Sequence, residues 1–276
     1  MKQNFDYSIV FPCLNCVDFT KQFIDSMLND NQDFSRLVAV NNGSSDGTAE
    51  YLSELKLGGL ITNKKNYGFG VPLNQGAMAL QTEWTVFANN DIIVTPNWVE
   101  NLLSSAEKNN LSVICPSIIE EELDYDLKST VKKFKKNMSG YVRYGDAHAV
   151  CIAIHESIWD KVGFFRAQPS LFGFEDKIFF NALKREKINI GITSDSWIHH
   201  FGSVTQKTMK KDLGIDFEKS LVKSDKNKEL CRNFLLRKID KFATKRTRKK
   251  LTKYEVNTFG NSVLLRRING NFDWDY

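Results

Sequence analysis

The chain has 276 residues and a net charge of +5, with 42% hydrophobic and 12% aromatic residues. That composition can bury the core of one large domain or two small ones, which excludes disorder throughout. No window approaches the roughly 18 apolar residues of a membrane-spanning helix, and an N-terminus that carries Asp6 and runs straight into a strand-like segment argues against a signal peptide.

Tyr7–Phe11 is an apolar run closed by Pro12 and reads as a strand. Phe19, Phe23, Ile24, Met27 and Leu28 recur at helical spacing, with Asp18 or Thr20 available as a cap. Leu37–Val40 is a second strand. It runs into a turn cluster, Asn41-Asn42-Gly43-Ser44-Ser45-Asp46-Gly47-Thr48, whose Ser45 or Asp46 can cap the helix that follows. Leu60–Thr62 is a third strand, and the turn Gly68-Phe69-Gly70 precedes a helix through Gly76–Leu80. Trp84–Ala88 is a fourth strand, ending at Asn89-Asn90-Asp91. Thr95-Pro96 starts a helix striped with Trp98, Val99, Leu102, Leu103 and Ala106, and Leu111–Cys115 is a fifth strand.

This alternation predicts an α/β fold, a mostly parallel sheet flanked by helices. Ligands of such sheets bind beyond the carboxyl ends of the strands. Three polar clusters fall there: around Asn15, at Asn41–Asp46 and at Asn89–Asp91.

Beyond Ser117 the character changes. Glu120–Lys136 is charge-dense, acidic first and basic after, and reads as a solvated excursion. Ala149–Ile154 is a strand. Phe172-Gly173-Phe174-Glu175-Asp176 opens a helix with Ile178, Phe179, Ala182 and Leu183 on its apolar stripe. Ile188–Thr193 is a late strand, followed by Trp197-Ile198-His199-His200-Phe201-Gly202-Ser203. Leu230–Phe242 reads as helix.

Charge divides the chain. Residues 1–206 hold 19 basic and 24 acidic residues, whereas residues 207–253 hold 17 basic and 6 acidic. We therefore read an acidic body, 1–206, and a basic, largely helical extension, 207–276. The extension suits an anionic partner such as a membrane face or nucleic acid, and its densest run is Lys245–Lys250. Cys13, Cys16, Cys115, Cys151 and Cys231 are odd in number and irregular in spacing, which excludes a secreted disulfide framework. Cys13 and Cys16 form a CxxC, but no second pair exists to complete a zinc site. They read as buried or half-buried thiols in a cytoplasmic protein.

Two segments carry candidate chemistry. Asn89-Asn90-Asp91 reads either as a polar turn or as the open end of a strand whose carboxylate holds a divalent cation on two phosphates. Glu175-Asp176 reads either as acidic residues complementing a helix dipole or as a general base beside an acceptor hydroxyl. The pair His199-His200 fits a metal ligand or a packed structural residue. Gly68-Phe69-Gly70 lacks the third glycine of a dinucleotide fingerprint and does not follow the first strand. No P-loop and no nucleophile elbow occur.

Taken together, these segments resemble the family 2 glycosyltransferases, which have the GT-A fold. The resemblance rests on six stretches in the family's order. They are Ser8-Ile9-Val10-Phe11-Pro12-Cys13-Leu14-Asn15, Val40–Thr48, Asn66-Tyr67-Gly68-Phe69-Gly70 with Asn74 and Gly76, Asn89-Asn90-Asp91, Val162-Gly163-Phe164-Phe165 with Gly173-Phe174-Glu175-Asp176, and His200-Phe201-Gly202-Ser203. It implies an inverting transferase acting on a nucleotide sugar, with a uridine or thymidine diphosphate donor. Pro12, Cys13, Asn15 and Asn41 would line the base and ribose; Asn66, Gly68, Asn74, Asn89 and Asn90 would face the sugar–diphosphate. Asp91 would bind Mn2+ or Mg2+, with His200. Asp176 would be the base and Glu175 would position the acceptor.

Two departures stand out: Asn41 replaces the family's Asp, and the metal motif keeps only its last carboxylate. The implied acceptor is a polysaccharide or lipid-linked glycan, met at an anionic membrane face. The alternatives are a modified DNA base held by the basic extension, a catalytically silent binding module, and a nucleotidyltransferase. The last would need basic residues after the first strand, and Cys13–Asp18 has none.

Overall fold

The computed structural model describes residues 4–167, 175–202, 204, 205, 207, 208 and 234–274, with side chains in the last stretch from 244. The predicted Phe172–Phe174 turn, Ser203, Cys231 and most of residues 207–233 lie outside the described residues.

The chain alternates as expected through β1 (Tyr7–Cys13), α1 (Val17–Asn29), β2 (Leu37–Asn41), α2 (Thr48–Glu54), β3 (Gly59–Thr62), α3 (Gly70–Ala79) and β4 (Trp84–Ala88). Strands β3, β2, β1 and β4 lie side by side and all run parallel. Strands β1, β2 and β4 are buried along almost their whole length, as continuous apolar runs between two helical layers must be. Helix α3 begins six residues earlier than the sequence indicates and packs hard on β1. A Cβ at Gly76 would lie 2.2 Å from Val10 Cγ1, so only glycine allows this approach.

The second half is mixed. After β5 (Ile92–Val94) and α4 (Trp98–Lys108) come β6 (Val113–Glu121), α5 (Leu127–Asn137), β7 (Val142–Tyr144) and β8 (Cys151–His155). They are followed by α6 (Trp159–Val162), α7 (Glu175–Arg185) and β9 (Ile190–His200). Strand β8 inserts antiparallel between β4 and β6, and β9 pairs parallel with β6 and antiparallel with β5 and β7.

The stretch expected to be a solvated excursion instead ends β6 and forms α5. Leu127 and Val131 are buried and Phe134 packs on the core, a narrow stripe that the surrounding lysines mask in the sequence. Asp126 caps this helix through the Ser129 N–H at 2.6 Å.

The boundary expected at residue 206 does not isolate the end of the chain. After α8 (Phe234–Phe259), β10 (Leu264–Ile268) pairs parallel with β6, and β11 (Asn271–Asp273) pairs with β10. A buried ion pair pins this end to the body. Arg143 of β7 meets Glu255 of α8 through Nε at 2.7 Å and Nη2 at 2.5 Å, with both side chains fully buried. Tyr141, Ser262 and Thr252 hydroxyls complete the cluster. Among the described residues, no helix is long and apolar enough to cross a membrane.

Glu255→Gln leaves Arg143 buried beside a neutral amide, with Asp146, which it shares with Arg248, as its remaining counter-charge. Urea unfolding of this variant should show a stability loss of about 3–5 kcal/mol. A loss below about 1 kcal/mol would mean that the pair does not hold α8 to the body.

Candidate functional site

The carboxyl ends of β1, β2 and β4 meet at one edge, and a web of side-chain bonds shapes the loops there. Asn42, named in the sequence only as part of a turn cluster and given no role of its own, is its centre. Its Nδ2 donates to Asn66 Oδ1 at 3.0 Å and to the Gly68 carbonyl at 2.9 Å, while its Oδ1 accepts from Asn63 Nδ2 and the Tyr67 N–H. Gly68 has φ 84°, a left-handed conformation that glycine adopts without strain.

Asn15 sits in the left-handed region, with φ 54°, and its Oδ1 accepts the Ser45 N–H at 2.8 Å. Asn41 is 2% exposed and its Oδ1 accepts the Ser44 N–H at 3.0 Å. Both side chains thus hold the Ser44–Ser45 loop. Asp46 caps two helices at once. Its Oδ2 takes the Val17 N–H that opens α1, and its Oδ1 takes the Thr48 N–H and hydroxyl that open α2. Neither Asp18 nor Thr20 caps α1. Partial burial pushes the Asp46 carboxyl up, but the bonds from Thr48 and Val17 outweigh it and hold the group below the usual carboxylate range.

Other expected donor residues turn inward. The Cys13 side chain is fully buried, and burial pushes its thiol up to about 12, so it offers the edge only its main chain. The Cys13 carbonyl accepts the Asn42 N–H at 2.8 Å. Asn74 clasps the backbone of Phe165 from both sides, donating to its carbonyl at 2.7 Å and accepting its N–H at 3.0 Å. It thereby ties α3 to the segment that leads towards α7. Asn90 is buried and donates to the Thr20 hydroxyl at 2.9 Å, and the Asn89 N–H is bound by the Val150 carbonyl. Pro12 is half-buried at the same edge.

Asp91 and His200 come together although 109 positions separate them. The register of β9 sets His200 opposite Ile92 on one side and opposite Glu120 on the other. Asp91 Oδ1 and His200 Nε2 face each other at 3.4 Å. Both atoms are buried, and neither makes a hydrogen bond among the described residues. Behind them, His200 Nδ1 lies 2.9 Å from Glu120 Oε1. Burial lowers the affinity of His200 for a proton, but Asp91 and Glu120 outweigh it and raise its pKa to about 9. His199 points to the opposite face, where Nδ1 meets the Tyr125 hydroxyl at 3.0 Å. Burial, then the neighbouring His200, pushes its pKa down to about 4. Of the adjacent pair, only His200 stands beside Asp91.

Among the described residues, no three His, Cys, Asp or Glu side chains gather as a complete metal-ligand set. Asp91 and His200 supply two donors that would exchange their mutual ion pair, and the proton the imidazole holds, for a cation, and Glu120 stands behind the imidazole as carboxylates do behind metal-bound histidines. The pair fits a cation that takes its remaining ligands from water and substrate phosphate.

Glu175 and Asp176 open α7. Glu175 is 3% exposed; its carboxylate accepts backbone N–H groups of Gly70 and Phe69 at the start of α3, and its Cγ would lie 3.1 Å from a Cβ on Gly70. Its side chain therefore braces the glycine turn. Burial raises its pKa, as it does that of half-buried Asp176.

The profile of the family described as "Glycosyl transferase family 2" matches residues 8–191. An uncharacterized glycosyltransferase of Haemophilus influenzae is 27% identical over 117 residues, covering 41% of this chain and 36% of that protein. One similar solved structure is the crystal structure of GalNAc-T7 with UDP, GalNAc and Mn2+. It superposes with a TM-score of 0.59 at 15% identity, over 72% of this chain and 44% of that one. S. aureus TarS 1-349 gives a TM-score of 0.54 at 14% identity, over 70% and 60%. The described fold is thus of the GT-A kind, and the chain spans little more than a third of the length of the Haemophilus relative.

Asp46→Ala removes the acceptor from two helix N-termini and should cost about 1–3 kcal/mol in urea unfolding at neutral pH. The folded-state pKa of Asp46 is depressed. Its contribution is therefore present above the unfolded-state pKa and is lost as pH falls through the folded one. The gap between native chain and variant should narrow in acid; a gap independent of pH would contradict the double cap.

Proposed function

The chain belongs to glycosyl transferase family 2, and from that we propose a metal-dependent, inverting transferase that moves a sugar from a uridine or thymidine diphosphate donor to an acceptor hydroxyl. The acceptor we favour is a polysaccharide or lipid-linked glycan. The observation that carries the reading is the buried pairing of Asp91 Oδ1 with His200 Nε2 at the carboxyl edge of the sheet.

In this reading Asp91 and His200 hold Mn2+ or Mg2+, which when bound neutralises the charge growing on the departing nucleoside diphosphate. Glu120 orients His200 through Nδ1. Asn15, Asn41 and Asn42 act through the loops they fix, setting the shape of the Gly43–Ser45 and Tyr67–Gly68 turns that wall the nucleotide site. Asn41 in place of aspartate retains an acceptor and adds a donor, so it no longer brings a negative charge to that wall. Asp176 takes the proton of the acceptor hydroxyl as that oxygen attacks the anomeric carbon. A carboxyl raised by burial is a stronger base once ionised, which suits this task. Glu175 keeps the turn at Gly70 in place beneath the reacting sugar.

A screen of sugar nucleotides with Mn2+, read as donor hydrolysis, should find one hydrolysed donor; none at all would contradict the proposal. With that donor, Asp176→Asn should lower transfer by about 10²–10⁴-fold while nucleotide binding persists. Because the base must be ionised and its pKa is raised, kcat/KM should fall on acidification at a pH above the ordinary aspartate range. Transfer by Asp176→Asn near the native rate would remove Asp176 from the base role.

A further inference from the structure

The outer face of α8 carries Lys245, Arg246, Lys249, Lys250 and Lys253, all exposed. Residues 244–254 include no acidic side chain, and none of the five cations forms an ion pair among the described residues. Arg248, one position off this stripe, is different. It makes a two-pronged bond to Asp146, with Nη2 to Oδ1 at 2.6 Å and Nε to Oδ2 at 2.9 Å. The opposite face of the helix is seated through Thr252 and Glu255 on Arg143. The helix thus cannot roll to bury its charges.

A second helix is basic on its exposed face. Helix α5 exposes Lys132, Lys133 and Lys136. The chain leaving α5 reaches Tyr141, whose ring lies 6.4 Å from that of Tyr254 on α8. Tyr254 is itself 54% exposed among the cations.

We propose that this surface seats the enzyme on an anionic lipid bilayer. The charge is spread along the outer faces of two fixed helices, which suits a field from many headgroups. Tyr254, exposed among the cations, fits the headgroup level, where an amphipathic ring has both a polar and an apolar neighbour. It is a poor match for single-stranded nucleic acid, which needs several stacking platforms in succession. The seat also adjoins the site. Arg248 bonds the Ala147 carbonyl, and three residues on the Val150 carbonyl holds the Asn89 N–H. A bilayer against α8 therefore lies beside the loop that flanks the metal-binding edge. The proposal does not depend on which donor or acceptor is used.

Truncation would strip Glu255 from Arg143, so the test uses surface substitutions in the full chain. Lys245, Arg246, Lys249, Lys250 and Lys253 are all changed to Gln. Vesicles of phosphatidylcholine alone and of equal parts phosphatidylcholine and phosphatidylglycerol are floated with native and variant protein. Native protein should float only with anionic vesicles, and high salt should release it. At about fivefold in affinity per cation near the surface, the variant should bind at least about 100-fold more weakly while keeping native donor hydrolysis. Equal binding to neutral vesicles, no native binding, or undiminished binding by the variant would overturn the proposal. So would binding to duplex DNA that anionic vesicles fail to displace. Loss of donor hydrolysis in the native chain would count against the transferase reading and leave the bilayer seat standing.

Discussion

Pairing between β6 and β9 runs from Val113 opposite Ile190 to Pro116 opposite Thr193, and resumes at Ser117 opposite Trp197. Three residues, Ser194 to Ser196, are looped out between. An unbroken ladder would set Trp197 opposite Glu120 and carry His200 three positions past it. Because three is odd, it would also exchange the two faces of the strand beyond that point. The bulge is therefore what sets His200 between Asp91 and Glu120 and keeps Trp197 against Phe134 in the core. Such a fault in a buried sheet survives only if its polar groups are answered. They are: Ser194 bonds the Met138 and Tyr141 carbonyls, Ser196 bonds the Trp98 carbonyl, and the Trp197 indole bonds Ser194.

The same logic governs the rest of the edge. Asn42 and Asp46 each satisfy several backbone or side-chain groups from different elements, so the loops over the sheet are tied to it at their bases. The far side depends on Arg143, whose charge is balanced by Glu255 from α8 together with Asp146 at 3.4 Å. Through Asp146 and Arg248 that balance extends to the loop leading into β8, and so to Asn89. The end of the chain, remote in sequence, helps to fix the wall of the site.

Much of this was legible in the sequence. Apolar runs punctuated by turn residues place β1, β2 and β4 within two residues of their observed bounds, because buried parallel strands leave a strong local pattern, and the half-exposed edge strand β3 within one. Asp91 and His200 could be named from the family resemblance, but not their meeting, since it follows from long-range register. Local pattern failed where context overrode it. Helix α5 shows one apolar residue per turn among lysines. Strand β9 contains Ser194, Asp195 and Ser196, which read as a strand end. Glu120 sat in a run of acids with nothing to distinguish it. Cys13 and Asn74 were expected at the donor because of their place in motifs, whereas their side chains serve the core and the backbone of Phe165. A charge count split the chain at 206, but charge reports on surface, and the buried faces of α8 and β10 belong to the body.

On our proposal one register, fixed by a bulge, builds a two-residue cation seat from Asp91 and His200. Its most direct test is Mn2+ titration in the presence of the nucleoside diphosphate that binds, followed by the fading resonance signal of the free ion. Native chain, His200→Ala and His199→Ala are compared after circular dichroism has verified folding. With that seat, His200→Ala should weaken Mn2+ binding by more than about tenfold and His199→Ala should leave it near native. Equal affinities for native chain and His200→Ala, or a loss confined to His199→Ala, would contradict it.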